Sequence, residues 1–119
     1  MEGIVVDTSS ILFALSANLD IFKVIDDSGS KPVLPGVVVA ELVSLSKGKG
    51  AKNRQAVLAL QLIERHGIRA EEGSGYADRW IIDNARRFSA VCTNDTRLRR
   101  TLRKEGITVF AFTIDGKLR

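Results

Sequence analysis

Short apolar runs alternate with helix-length stretches along the whole chain, and that alternation restricts it to one fold class. Runs at 3–6, 31–34, 68–70, 90–93 and 108–112 are short and apolar or β-branched. Between them, the spacing or length predicts helices over 11–17, 19–28, 37–46, 53–66, 76–89 and 95–105. Strands this far apart in sequence need crossover connections, which make a parallel, helix-covered sheet. The expected fold is therefore α/β: a three-layer sandwich with a central, mostly parallel five-stranded sheet flanked by helices. The 119 residues suit a single domain over 1–119. A chain of that length buries roughly two thirds of its unfolded surface, so a core forms without staples.

Local signals set the boundaries. Thr8-Ser9-Ser10 offer caps for the first helix, and Asn18 breaks it. Pro32 stands at the edge of the second strand run. The 37–46 stretch is rich in valine, yet its length and the Lys47-Gly48-Lys49-Gly50 loop make it a helix. Ala56, Leu60 and Ile63 form one face of the 53–66 helix, and Gly67 suits its C-terminal turn. Trp80, Ile81, Ala85 and Phe88 point inward from the 76–89 helix. A polar turn covers 71–75, and residues 113–119 form a tail.

Composition excludes some chemistry. The chain has one cysteine, Cys92, and one histidine, His66. No intrachain disulfide and no Cys/His zinc site can be assembled. A reducing, cytoplasmic setting is expected. His66 reads as a C-terminal helix residue that suits the helix dipole. The start of the chain lacks a basic segment followed by a long apolar one, so no signal peptide is expected. The longest apolar run, 37–43, contains Glu41 and is too short to span a membrane. The net charge is +4 and the pI 9.6, which favours a polyanionic partner. Arg97, Arg99, Arg100, Arg103 and Lys104 form one basic cluster, and Lys47, Lys49, Lys52 and Arg54 another. A solvated helix face is the alternative for each.

Four carboxylates stand out, each with a plainer alternative. Asp7 ends an apolar strand directly, where an Asp otherwise serves as a helix cap. Asp95 also follows an apolar strand, and there Asn94 is available as the cap. Glu41 lies among apolar neighbours, so its exposed stripe is narrow. Buried glutamates need a partner. Asp78 falls in a first helical turn, which the dipole alone favours. Asp83 lies five residues further and reads as surface. The two strand ends bring Asp7 and Asp95 to one sheet edge, where open α/β sheets bind ligands. Four hard oxygen donors without His or Cys match Mg²⁺ or Mn²⁺.

These residues carry a resemblance. Ile4-Val5-Val6-Asp7-Thr8-Ser9-Ser10, Val38-Val39-Ala40-Glu41-Leu42, Tyr76-Ala77-Asp78 and the 91–100 run Val-Cys-Thr-Asn-Asp-Thr-Arg-Leu-Arg-Arg resemble a PIN domain, a small α/β metal-dependent nuclease fold. The resemblance covers nearly the whole chain. It implies an acidic quartet of Asp7, Glu41, Asp78 and Asp95 holding Mg²⁺ or Mn²⁺, with Ser9 and Thr93 as hydroxyls beside it. Arg79-Trp80 departs from the pattern, since many relatives carry another acid or a small residue there. The implied activity is endoribonuclease hydrolysis of phosphodiester bonds, with Arg97, Arg99, Arg100, Lys49 and Lys52 contacting nucleic acid. RNA is the family-typical substrate, and the residues do not separate it from DNA. An antitoxin or an RNA-processing partner is implied, and a homodimer by analogy. The Tyr76-Ala77-Asp78 and 93–100 pieces resemble the RNA-processing members more closely than the toxins. A non-catalytic binding module of the same fold is the rival reading. Aspartyl phosphotransfer folds fit less well: Ser9 stands where a haloacid-dehalogenase pattern wants a second Asp, and the acidic pair and lysine of a receiver domain are missing.

Overall fold

The computed structural model describes residues 3–119. Met1 and Glu2, part of the start expected to carry no signal peptide, lie outside the described residues. In chain order the elements are β1 (Ile4–Val6), α1 (Thr8–Ser16), α2 (Ile21–Asp27), β2 (Pro32–Pro35), α3 (Gly36–Ser46) and α4 (Ala51–His66). There follow β3 (Ala70–Glu71), α5 (Ala77–Asn84) with a 3-10 turn over Ala85–Arg87, β4 (Ala90–Cys92), α6 (Thr96–Lys104) and β5 (Val109–Phe110). The sheet has five strands in the order β3-β2-β1-β4-β5, and every pair is parallel. The expected α/β sandwich is thus observed, with the sheet wholly parallel.

The order dictates where a site can form. From β1 the chain steps outward through β2 to β3, then returns across the sheet to β4 and leaves in the other direction to β5. Parallel crossovers are right-handed. The first two connections therefore put α1 to α4 on one face, and the last two put α5 and α6 on the other. α4 lies against α1 and α3, and α5 lies against α6, while α3 also meets α5. β1 and β4 are neighbours whose outgoing chains part to opposite faces. The gap beyond their carboxyl ends is the switch point at which such sheets bind ligands.

The central strands are apolar because both faces are covered. Val5, Val6, Val91 and Cys92 have no exposed surface. Phe22, Ile25, Ile11 and Leu42 are as deeply buried, as is Ile81. Each such side chain contributes about 1.5–3 kcal/mol. α3 shows packing overriding propensity: valine costs a helix up to about 0.7 kcal/mol relative to alanine, yet Val37, Val38 and Leu42 are held in the core. Gly67 ends α4 in the left-handed conformation with φ 64°, and His66 Nε2 lies 2.8 Å from Asp20 Oδ2 at the start of α2. At 16 residues, α4 is about 24 Å long, against about 13 Å for α1.

Several boundaries differ from expectation. Thr8, Ser9 and Ser10 are the first turn of α1 and not its caps, because their hydroxyls are drawn to partners on other elements. The helix expected to 89 tightens at Ala85–Arg87, and β5 covers only Val109–Phe110. Beyond it the chain turns back, with Phe112 bridging antiparallel to Leu118. The third strand lies at Ala70–Glu71, so Glu71 is strand and not turn. The loop after it is pinned by Trp80, whose indole N–H donates to the Glu72 carbonyl at 3.1 Å. A Cβ on Gly73 would collide with that indole. Gly73→Ala is therefore expected to lower stability by about 1–3 kcal/mol, read as a lower urea midpoint at unchanged slope.

Candidate metal-binding cleft

Asp7 and Thr93 stand side by side where β1 and β4 end. The ladder pairs Val6 with Cys92 and continues through Asp7 N–H donating to the Cys92 carbonyl at 3.0 Å. Asp7 occupies the cap position of α1, yet its side chain makes no capping bond. The residue is 5% exposed, and its carboxylate turns to two hydroxyls instead. Ser9 Oγ donates to Asp7 Oδ2 at 2.9 Å, and Thr93 Oγ1 donates to the same oxygen at 2.8 Å. Each hydroxyl has a single proton. With both given to Asp7, the 3.1 Å Ser9–Thr93 contact is an approach of two oxygens. Each of these oxygens accepts a backbone N–H in turn, Ser9 Oγ from Asn94 at 3.0 Å and Thr93 Oγ1 from Asp95 at 3.1 Å. Two short chains of polarised bonds thus run from the end of β4 into one carboxylate oxygen.

The other three acids surround this pair from different elements. Glu41, on α3, accepts from Thr8 Oγ1 at 3.0 Å. Its carboxyl pKa is raised first by burial, then by the negative charges of Asp7 and Asp78, while the Thr8 bond lowers it. Asp78, in the first turn of α5, is likewise raised by burial and by Asp7 and Asp95, while Arg97 lowers it. Both residues are largely exposed by area, so they form the open rim while Asp7 forms the floor. The mutual repulsion brings all four acids into one electrostatic cluster.

Asp95 corrects the expected division of labour. Asp95, not Asn94, caps α6: its Oδ1 accepts from Arg97 N–H at 2.9 Å and Leu98 N–H at 3.1 Å. Asn94 is a structural clasp. Its Oδ1 accepts from Ser10 Oγ at 2.6 Å and Phe112 N–H at 2.9 Å, and its Nδ2 donates to the Phe112 carbonyl at 2.9 Å. The Thr8–Glu41 bond and this clasp were missed in the sequence. The signal was there: three consecutive hydroxyl residues after a strand end exceed what one helix start needs.

The basic residues divide. Arg97 and Arg100 are exposed, and Arg97 acts on Asp78. Arg99 is half-buried, and its Nε has no hydrogen-bond partner among the described residues. Lys49 and Lys52 are exposed at the turn joining α3 and α4. They follow the end of the helix that carries Glu41. Arg79 turns outward to Asp83 at 3.2 Å, so the Arg79-Trp80 departure brings no charge into the cleft. Burial pushes the Cys92 thiol up to about 11, which leaves it protonated and unreactive at neutral pH.

Hard oxygen donors gathered against their own repulsion fit a divalent cation. As placed, no three His, Cys, Asp or Glu side chains among the described residues stand close enough to hold one ion.

Residues 4–113 match the PIN like domain family, and the chain belongs to it. The fold is accordingly of nuclease type. No curated protein matches the chain.

Neutralising one rim acid should remove the cost of burying its charge together with the repulsion from its neighbours. The folded pKa values of Glu41 and Asp78 lie above their ordinary values of 4.5 and 3.8. Their ionisation therefore weakens the fold above those raised values, and the penalty fades as the pH falls through them. Metal-free Glu41→Gln and Asp78→Asn should melt above the parent at pH 7, with the difference closing toward pH 4. Equal melting temperatures at pH 7 would refute the repulsion.

Proposed function

We propose that this protein is a divalent-metal-dependent endoribonuclease, with Asp7, Glu41, Asp78 and Asp95 as the ligands of Mg²⁺ or Mn²⁺. The observation that supports it most is the switch-point cluster itself, in which the charges of Asp7 and Asp95 bear on Asp78 and those of Asp7 and Asp78 bear on Glu41. The chain's own residues prepare that site. Ser9 and Thr93 hold Asp7 in one orientation from below. Thr8 tethers Glu41 to the start of α1. The backbone of α6 fixes Asp95 through its cap. Those four carboxylates would hold the ion, whose chemistry there would be to lower the pKa of a water and to neutralise charge on the phosphate. Arg97 and Arg100, exposed along α6 beside the rim, would take backbone phosphates, with Arg99 behind them. Lys49 and Lys52 on the α3–α4 turn would meet the strand further along. Such contacts give affinity and salt dependence and little base choice.

RNA is the proposed substrate, with DNA next, in a reducing cytoplasmic setting and in one domain over 1–119. The pieces at 76–78 and 93–100 favour an RNA-processing role over a toxin held by an antitoxin, and a homodimer is proposed by analogy. The second reading is a binding module without catalysis, which would keep the exposed arginines of α6 and need no convergence of acids.

Asp7→Asn keeps an acceptor for Ser9 and Thr93 while removing the charge. Cleavage of a single-stranded RNA with Mn²⁺ should fall at least about a hundredfold, as expected when a group that stabilises the transition state is removed, with the melting curve intact. Undiminished cleavage by that variant would exclude the metal site. Tight RNA binding with no cleavage by the parent under Mg²⁺ or Mn²⁺ would establish the module. Arg97→Ala and Arg100→Ala should each weaken single-strand binding and flatten its salt dependence by about 0.7 for every phosphate no longer neutralised.

A further inference from the structure

We propose, on the footing of the nuclease reading, that Tyr76 is a stacking platform for one base of a single-stranded nucleic acid lying across the cleft. Tyr76 is 86% exposed, the most exposed of the large apolar side chains among the described residues. A lone exposed aliphatic residue needs no explanation. An aromatic ring held almost wholly in water, two residues from a candidate metal ligand, is a different matter. Tyr76 precedes α5, whose first turn carries Asp78, and consecutive Cα atoms are only about 3.8 Å apart. The residue is therefore mounted on the backbone that carries the rim acid Asp78.

The surrounding chain keeps the ring uncovered and its base fixed. Glu72, Gly73, Ser74 and Gly75 are exposed. Gly75 takes φ 87°, and a side chain built there would meet nothing within 4 Å. The two residues nearest the ring on that side that carry no side chain, Gly73 and Gly75, leave the loop before it slender. Behind the ring, Ala77 and Trp80 are buried, the Trp80 backbone N–H donates to the Tyr76 carbonyl at 3.1 Å, and the indole holds the loop through Glu72. A rigidly mounted aromatic with a free face is what a nucleobase stacks on, and every base has such a face. Bases in a duplex are already stacked, so the ring selects unpaired substrate. With Arg97 acting on Asp78 from the α6 side, phosphate contacts lie on one flank of the acid and a base contact on the other.

The test measures equilibrium binding of single-stranded RNA ten nucleotides long, in Ca²⁺ buffer, by fluorescence anisotropy. Tyr76→Ala should raise Kd about fivefold or more and leave the salt dependence unchanged, because no charge is removed. Tyr76→Phe and Tyr76→Trp should bind as the parent does. An RNA with one base removed at a single position should bind the parent more weakly by a similar factor, and removing it should add no further loss in Tyr76→Ala. Duplex of the same sequence should not distinguish Tyr76→Ala from the parent. Equal Kd values for parent and Tyr76→Ala would overturn the platform, as would additive losses in the missing-base experiment; Tyr76 would then be a protein contact or bare surface. Because binding is read without cleavage, the outcome is separate from that for Asp7→Asn. An inactive parent whose RNA binding depends on Tyr76 would retain the platform and lose the nuclease, and an active parent indifferent to Tyr76→Ala would do the reverse.

Discussion

β1 and β4 are bonded neighbours that send their following helices to opposite faces, and the rest of the molecule follows from that parting. It opens a gap at one place along the sheet edge. It sets Asp7 and Thr93 at the same level on adjacent strands, so their side chains meet without any long-range adjustment. It also brings the starts of α1 and α6 together there. Two helix starts aim positive dipole ends at one gap, which offsets part of what it costs to keep Asp7 almost wholly buried. The hydroxyls of Ser9 and Thr93 supply the rest as direct hydrogen bonds.

The cluster is built in two tiers. Asp7 and Asp95 are positioned by backbone that the sheet fixes, one through hydroxyl donors and the other through its cap. Glu41 and Asp78 come from helices that cross the opening, and their carboxyls are pushed toward protonation by their neighbours. The floor is satisfied by protein donors, whereas the rim is left with excess negative charge. Exposed arginines on α6 answer that charge from the side.

Strand-helix alternation was legible because each β-run is apolar on both faces and each ends in a polar break. The elements expected from that pattern are all present, including α3, where length outweighed its valines. The site acids were legible as residues that interrupt apolar context. What the sequence hid was the partner of each polar group. Asn94 and Asp95 are adjacent and both able to cap, and only the position of Phe112, eighteen residues on, decides that Asn94 is the clasp. Thr8, Ser9 and Ser10 look alike in sequence, yet they face Glu41, Asp7 and Asn94 respectively. Those choices depend on which strands lie side by side, and local pattern carries no such information. The shortness of β5 was hidden for the same reason, since the returning segment at Phe112 and Leu118 ends it.

The two hydroxyl protons on Asp7 Oδ2 have a consequence for denticity. A carboxylate oxygen has two in-plane lone pairs, and here Ser9 and Thr93 occupy both. Asp7 can then offer only Oδ1 to anything entering the cleft. It is a monodentate group by construction, so its vector toward a guest is set by the strand ends, and bidentate chelation falls to acids whose oxygens are less fully engaged.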